Sequence, residues 1–210
     1  MSKRLLIAVP RGALFGETLD LLDSAGIPTE EVRENDRKLY FPEAGIVTVR
    51  PSDVPTYVEF GAADLGITGK DVLLEQHYRD VVELLDLGYG RCRMVVASPD
   101  IEPEPLASAA RRLGVMRIAT KYPKIAGDHF SATGRQIEMI EVKGSVELAP
   151  LTELSDGIVD LVDTGATLRE NGLVIREEIV ETTARLIANP VAHRLRAAEI
   201  DDFASLLKTR

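Results

Sequence analysis

Between Ile158 and Leu168 the chain reads Ile-Val-Asp-Leu-Val-Asp-Thr-Gly-Ala-Thr-Leu, an apolar β-branched run that ends in small, hydroxyl-bearing residues. Ile158, Val159, Leu161 and Val162 predict a strand, Thr164-Gly165-Ala166-Thr167 a turn, and Leu168 to Asn171 the start of a helix. A strand that feeds a helix through a glycine turn aims several backbone N–H groups at one point, and the helix dipole favours negative charge there. The hydroxyls of Thr164 and Thr167 add donors. The combination suits one phosphate group. Asp160 and Asp163 would repel that phosphate but suit what hangs beside it: ribose hydroxyls, which donate to a carboxylate, or a magnesium ion, which takes oxygen ligands. An acid followed by Thr-Gly-x-Thr on such a turn fits a ribose 5-phosphate. Asp, Thr and Gly are also common in ordinary strand-to-helix connections. The bare turn is therefore ambiguous, and the acids placed before it favour the ligand.

Several further strands must carry that turn. Leu5 to Val9 is a short apolar run stopped by Pro10-Arg11-Gly12, and Leu14, Thr18, Leu21 and Leu22 then recur at helical spacing until Gly26-Ile27-Pro28. Ile46 to Val49 predicts a second strand, with Ser52 or Asp53 capping a helix from Val54 to Phe60. Asp64 to Gly69 is a third, followed by a helix from Asp71 to Glu75. A second unit starts near Gly88-Tyr89-Gly90, with strands Arg93 to Ala97, Arg117 to Thr120 and Ile137 to Ile140, a helix from Ile125 to Gly134, and the phosphate-loop strand. Ala184 to Ala188 is a last strand and Pro190 to Leu207 one terminal helix. Apolar strands alternating with helices mean an α/β protein with mostly parallel sheets. The expected organisation is two lobes joined by crossings near 90 and 178: residues 1–90 with 178–210, and residues 91–177 carrying the loop. Ligands of such sheets sit beyond the C-terminal strand ends, so a cleft between the lobes is expected.

Composition narrows the partners. A net charge of −9 argues against nucleic acid or an anionic membrane. No basic start leads into an apolar run, and nothing approaches the roughly 20 apolar residues that span a bilayer, so a soluble cytoplasmic protein is expected. The lone Cys92 excludes an internal disulfide and a cysteine metal site, and reads as a small buried hydrophobe. His77, His129 and His193 lack metal-ligand spacing, so no protein-held metal is expected.

With these pieces in order the chain resembles the ATP phosphoribosyltransferases, the family that opens histidine biosynthesis. The blocks that carry the likeness are Asp53 to Glu59, Gly61 to Gly69, Arg117 to Pro123, Gly144 to Pro150, Asp160 to Leu168 and Leu186 to Asn189. They run in order along nearly the whole chain. Two positions depart: Ala13 stands where many members carry a second basic residue, and Glu153 where the signature before the phosphate loop usually has Gly. The first bears on the electrostatics of the leaving group; the second is expected to alter only a helix surface.

The resemblance implies a two-lobed fold like that of periplasmic binding proteins, and a reaction that joins N1 of ATP to C1 of phosphoribosyl pyrophosphate and releases pyrophosphate. It implies that Thr164, Gly165, Ala166 and Thr167 hold the 5-phosphate, that Asp163 supports the turn, and that Asp160 takes the ribose hydroxyls. Arg11 and Arg37, at basic family positions, are the expected catalytic cations for the departing pyrophosphate. Glu147 is expected to accept a hydrogen bond from the adenine amino group or a sugar hydroxyl. Magnesium should travel with the pyrophosphate as Mg2+ rather than sit in a protein cage. Because only one helix follows Asn189, the likeness is to the short form, which forms a homodimer and joins a regulatory subunit resembling histidyl-tRNA synthetase in a hetero-oligomer. Two rivals remain on the residues alone. A solute receptor shares the two-lobed outline but has no use for an acid-Thr-Gly-x-Thr loop. A free-base phosphoribosyltransferase would usually carry two adjacent acids, where this chain has Val159 before Asp160.

Overall fold

The computed structural model describes residues 4–208. The chain divides into two compact units, one made of the residues up to Gly90 and from Thr183 onward, the other of Arg91–Thr182.

The first unit begins with β1 (Ile7–Pro10), α1 (Phe15–Ser24), α2 (Glu30–Glu34), β2 (Tyr40–Phe41) and β3 (Ile46–Val49). A 3₁₀ turn, Pro51–Asp53, then leads into α3 (Val54–Glu59), β4 (Leu65–Gly69), α4 (Lys70–Glu75) and β5 (Val82–Asp86). Neither Ser52 nor Asp53 caps α3 through its side chain. Asp53 already has helical backbone angles inside the turn, so its carboxylate is not placed to bond the first amides.

The second unit holds β6 (Cys92–Pro99), α5 (Pro105–Leu113), β7 (Met116–Thr120), α6 (Pro123–Ala132), β8 (Ile137–Glu141), α7 (Leu148–Leu151), β9 (Gly157–Val162), α8 (Ala166–Glu170) and β10 (Leu173–Thr182). Cys92 is half-buried at the start of β6 rather than fully buried. The expected crossing near 178 falls inside β10, whose residues pair with β6 through to Thr182 opposite Cys92. The chain leaves the unit only where that ladder ends.

Back in the first unit come β11 (Ala184–Ala188), α9 (Pro190–Leu195) and α10 (Ala197–Lys208). Asn189 caps α9 by accepting the Ala192 N–H at 2.8 Å, with Pro190 at the first helical position. The single terminal helix expected from the sequence is broken at Arg196, which leaves helical geometry (φ −129°, ψ 34°). Its guanidinium bonds Asp64 at 3.2 Å and Glu199 at 2.7 Å.

The sheets are mixed rather than mostly parallel in their pairings. The first has the order β2-β3-β1-β4-β11-β5, the second β10-β6-β9-β7-β8. In the first, β1 lies parallel to β3 and β4, and β11 is antiparallel to both β4 and β5. In the second, β7 lies parallel to β8 and β9, and β6 is antiparallel to both β9 and β10. Apart from the edge strand β2, which runs against β3, the reversed strand in each sheet is the first after a crossing between units: β6 follows Gly90 and β11 follows Thr182. Both are inserted between strands that run the other way.

Helices cover both faces of the first sheet, which is why its central strands β1 and β4 are buried throughout without alternation. Ile7 and Val9 pack with Leu19, Leu22, Phe41 and Ile46 on one face, while Ala8 meets Val54, Val58 and Ile187 on the other. In the second unit Ile158 and Val162 of β9 pack with Val95, Ala97, Val146, Ala149 and Leu168.

Candidate active site

Side chains two apart on a strand share a face, so Asp160 projects from β9 between Ile158 and Val162, toward the apolar cluster that those two join. It is 6% exposed. Two groups meet one of its oxygens, Oδ1: the Leu161 N–H donates at 2.8 Å and the Lys121 ammonium lies at 3.4 Å. Burial pushes the Asp160 carboxyl above its ordinary range and Glu147 nearby adds to that, while Lys121 and the Leu161 amide pull against them without cancelling the rise.

The strand ends at Val162, and the chain turns through Asp163 and Thr164 to Gly165, whose φ of +74° opens α8 from a left-handed conformation. Arg169, one turn into the helix, donates from Nη1 to the Thr164 carbonyl at 3.0 Å and ties the turn down. A Cβ at residue 165 would stand 3.2 Å from that same Nη1. The amides that open α8 have no acceptors within the helix and face the turn. With only five residues in α8, the dipole expected from the sequence is small, and the donors themselves are the main attraction for an anion.

Glu147, Asp160, Asp163, Thr164, Gly165, Ala166 and Thr167 all line one concavity of about 270 Å³ in the second unit. The sequence located these residues on three different elements of local structure; the fold gathers them. Glu147 reaches the concavity from the start of α7, just after Ser145, which takes φ +47°.

Arg11 and Arg37 belong to the first unit, Arg11 in the loop after β1 and Arg37 in the loop between α2 and β2. Arg11 donates from Nε to the buried Thr48 hydroxyl at 3.1 Å and from Nη2 to the carbonyls of Asn35 and Lys38, at 3.3 and 3.1 Å. Those carbonyls bracket Arg37, which is exposed. Arg11 also lies over the Phe15 ring at 5.2 Å. Ala13 is exposed in the turn before α1.

Two residues near the concavity were not expected there. In sequence Lys121 stands in a loop where a lysine lining a cleft and one merely solvated look alike; the signal is the parallel register of β7 with β9, in which Thr120 faces Val159, so that the next residues are Lys121 and Asp160. Arg169 is the other. The expectation for Glu153 also needs correcting, since it does more than decorate a helix surface. Its φ is +59°, in the region that favours glycine, and it closes the end of α7, with the Leu154 amide donating back to Ala149 O at 2.9 Å.

Among the described residues, no group of three or more His, Cys, Asp or Glu side chains gathers as a metal site. His129 bonds Glu177 at 3.0 Å and His193 bonds Asp201 at 3.0 Å. No helix among the described residues is long and apolar enough to cross a membrane.

Comparison with known proteins bears on the family and the fold. The family model described as "HisG: ATP phosphoribosyltransferase" matches residues 50–209. The ATP phosphoribosyltransferase of Rubrobacter xylanophilus is 52% identical, over 93% of this chain and 91% of its own. That of Sorangium cellulosum is 47% identical, over 99% and 96%. Among solved structures, a chain of the ATP phosphoribosyl transferase (HisG:HisZ) complex from Thermotoga maritima superposes with a TM-score of 0.80 at 35% identity, covering 98% of both chains. The periplasmic aliphatic sulphonate binding protein SsuA from Escherichia coli, at 13% identity and a TM-score of 0.59 over 99% of this chain and 72% of its own, shares the fold alone. A family model over most of the chain and relatives at about half identity lead to one assignment: the chain belongs to the ATP phosphoribosyltransferase family, enzymes of the first step of histidine biosynthesis.

Proposed function

We propose that the chain joins N1 of the ATP adenine to C1 of phosphoribosyl pyrophosphate, with inversion at C1 and release of pyrophosphate. The observation that carries this reading is the shared concavity of a buried carboxylate, Asp160, and the donor-rich turn 163–167. The turn amides and the hydroxyls of Thr164 and Thr167 take the 5-phosphate. Asp160 accepts the ribose hydroxyls and so orients C1. Charge-assisted hydrogen bonds contribute roughly 1.5–3 kcal/mol each, so three or four can hold the sugar in a chain of net charge −9.

A ring nitrogen is a weak nucleophile, so the sugar must gain cationic character as the leaving group gains negative charge. Positioning and electrostatics then supply the rate. Arg11 and Arg37 are assigned to the pyrophosphate on charge and position after β1 and in the loop that Arg11 braces. Magnesium enters as part of the phosphoribosyl pyrophosphate substrate, held chiefly by its phosphate oxygens. Glu147 is assigned to a hydroxyl or to the adenine amino group. Since phosphorylated substrates do not cross membranes, the reading implies a cytoplasmic enzyme.

The solved HisG:HisZ complex of the Thermotoga maritima relative supports a further part of the reading. The chain is a homodimer that joins a regulatory subunit resembling histidyl-tRNA synthetase, and that subunit brings inhibition by histidine. The test is to mix the chain with ATP, phosphoribosyl pyrophosphate and magnesium and seek phosphoribosyl-ATP by mass. Its appearance with ATP, and not with free adenine or orotate, is the expected result. Transfer to a free base instead would overturn the reading.

A further inference from the structure

Asp160 is the one acid of the concavity that is buried, and its surroundings are mostly apolar or of its own sign. From β6, its register partner is Val95, and Arg93 of that strand is paired with Glu178. From the start of α7 comes Glu147, a like charge. From its own strand end comes Asp163. From α8, Arg169 is turned to the Thr164 carbonyl at 3.0 Å. The cation that the structure places on Asp160 comes from the end of β7: the Lys121 ammonium, 3.4 Å from Oδ1 and 5.2 Å from the centre of the Tyr122 ring.

We propose that Lys121 is a positioning residue, whose ammonium holds the buried Asp160 carboxylate ionised and oriented to accept the ribose hydroxyls. The proposal rests on the reading of Asp160 given above and adds what that reading needs. An ionised carboxylate offers only acceptors and can take two hydroxyl donors at once, whereas the protonated acid spends one oxygen as a donor. Its negative charge also faces the sugar as cationic character develops there. Burial favours the protonated acid and an oriented cation opposes it, so the group works as a carboxylate over a wider range of pH. Lys121 engages Oδ1 together with the Leu161 amide, which fixes the plane of the group. β7 ends at Thr120, in parallel register with Val159 of β9, so Lys121 leaves the ladder level with Asp160, which stands inside β9.

The experiment compares wild type, Lys121→Met and Lys121→Arg. The first readout is the carboxyl ¹³C titration of Asp160 in the protein without substrate, assigned with Asp160→Asn. The second is the pH profile of kcat/KM for phosphoribosyl pyrophosphate. Lys121→Met should titrate Asp160 at higher pH than wild type. Its loss in kcat/KM should depend on pH, on the order of tenfold at the acid end and shrinking as pH rises, because a nearby opposite charge moves a carboxyl by about a pH unit or more. Lys121→Arg should restore most of both. An Asp160 titration unchanged by Lys121→Met would overturn the proposal. So would a loss of equal size at every pH, which marks a lysine that binds substrate phosphate directly. If the titration moves as expected but wild type turns over no phosphoribosyl pyrophosphate, the pairing stands and the functional reading fails. The two failures are therefore distinguishable.

Discussion

Replacing Glu153 by glycine should stabilise the second unit, and the structure sets the size of the gain. At φ +59° the Cβ of an L-residue crowds its own carbonyl, at a cost of roughly 1–2 kcal/mol. Glycine removes that strain but widens the unfolded ensemble, which returns about 0.4–1 kcal/mol. The net gain is then about 0.5–1 kcal/mol, or roughly 1–4 °C in Tm for a chain of this length. Nothing else at the site should be lost. The bonds that hold the turn do not use the Glu153 side chain: Leu154 N–H donates to Ala149 O at 2.9 Å, and the Glu153 carbonyl accepts from Arg117 Nη1 at 3.1 Å. Arg117 is also anchored by Asp156 at 3.1 Å, and the Glu153 side chain is exposed. Urea and thermal unfolding of wild type, Glu153→Gly and Glu153→Ala test the reasoning. Alanine keeps the Cβ and should show no comparable gain. If glycine were no more stable than alanine, the strain argument would be wrong, and the family's preference for glycine would need another cause.

Other perturbations separate binding, folding and loop order. Asp160→Asn and Thr167→Ala should each cut turnover, on the order of 10²–10³-fold where a donor or acceptor serves developing charge, with circular dichroism unchanged; wild-type kinetics at saturating ATP would refute the site. Glu104→Ala should cost about 1 kcal/mol near neutral pH, because Glu104 caps α5 by accepting from the Leu106 and Ala107 amides at 3.0 and 2.6 Å. Burial raises the Glu104 pKa, but the bonds from Ala107, Ser98 and Leu106 outweigh it and the net shift is downward. Its stabilisation is therefore complete above the ordinary carboxylate range and lost as pH falls through the folded value, so the melting difference should close in acid. Arg11→Ala should speed amide exchange across residues 35–38, where it bonds two carbonyls; Arg37→Ala should leave that exchange alone while lowering the chemical rate.

Much of the site was legible in the chain because it is local: an apolar strand, two acids and a hydroxyl-glycine turn occupy consecutive positions, and their geometry follows from the strand-to-helix junction. What escaped is what depends on partners distant in sequence. Lys121 is an ordinary loop lysine until the register of β7 on β9 sets it beside Asp160. β10 carries Arg176, Glu177, Glu178 and Glu181 with two bulges, so its polarity follows no clean alternation, although the ladder to β6 makes it a strand throughout. The break at Arg196 goes with a bond to Asp64, which is far away in the chain though close to the helix in space, and no helical periodicity encodes it. The left-handed Glu153 is invisible for the opposite reason: a turn that favours glycine is hard to see where glycine is missing.

The central claim is that the turn from Asp163 to Thr167 holds a sugar phosphate. Amide ¹H–¹⁵N spectra of the chain, titrated with ribose 5-phosphate, test it most directly. Saturable shifts are expected at Gly165, Ala166 and Thr167, and Thr167→Ala and Asp160→Asn should each weaken them. Saturable binding that leaves those three amides unmoved, with the shifts gathered elsewhere on the chain, would contradict it.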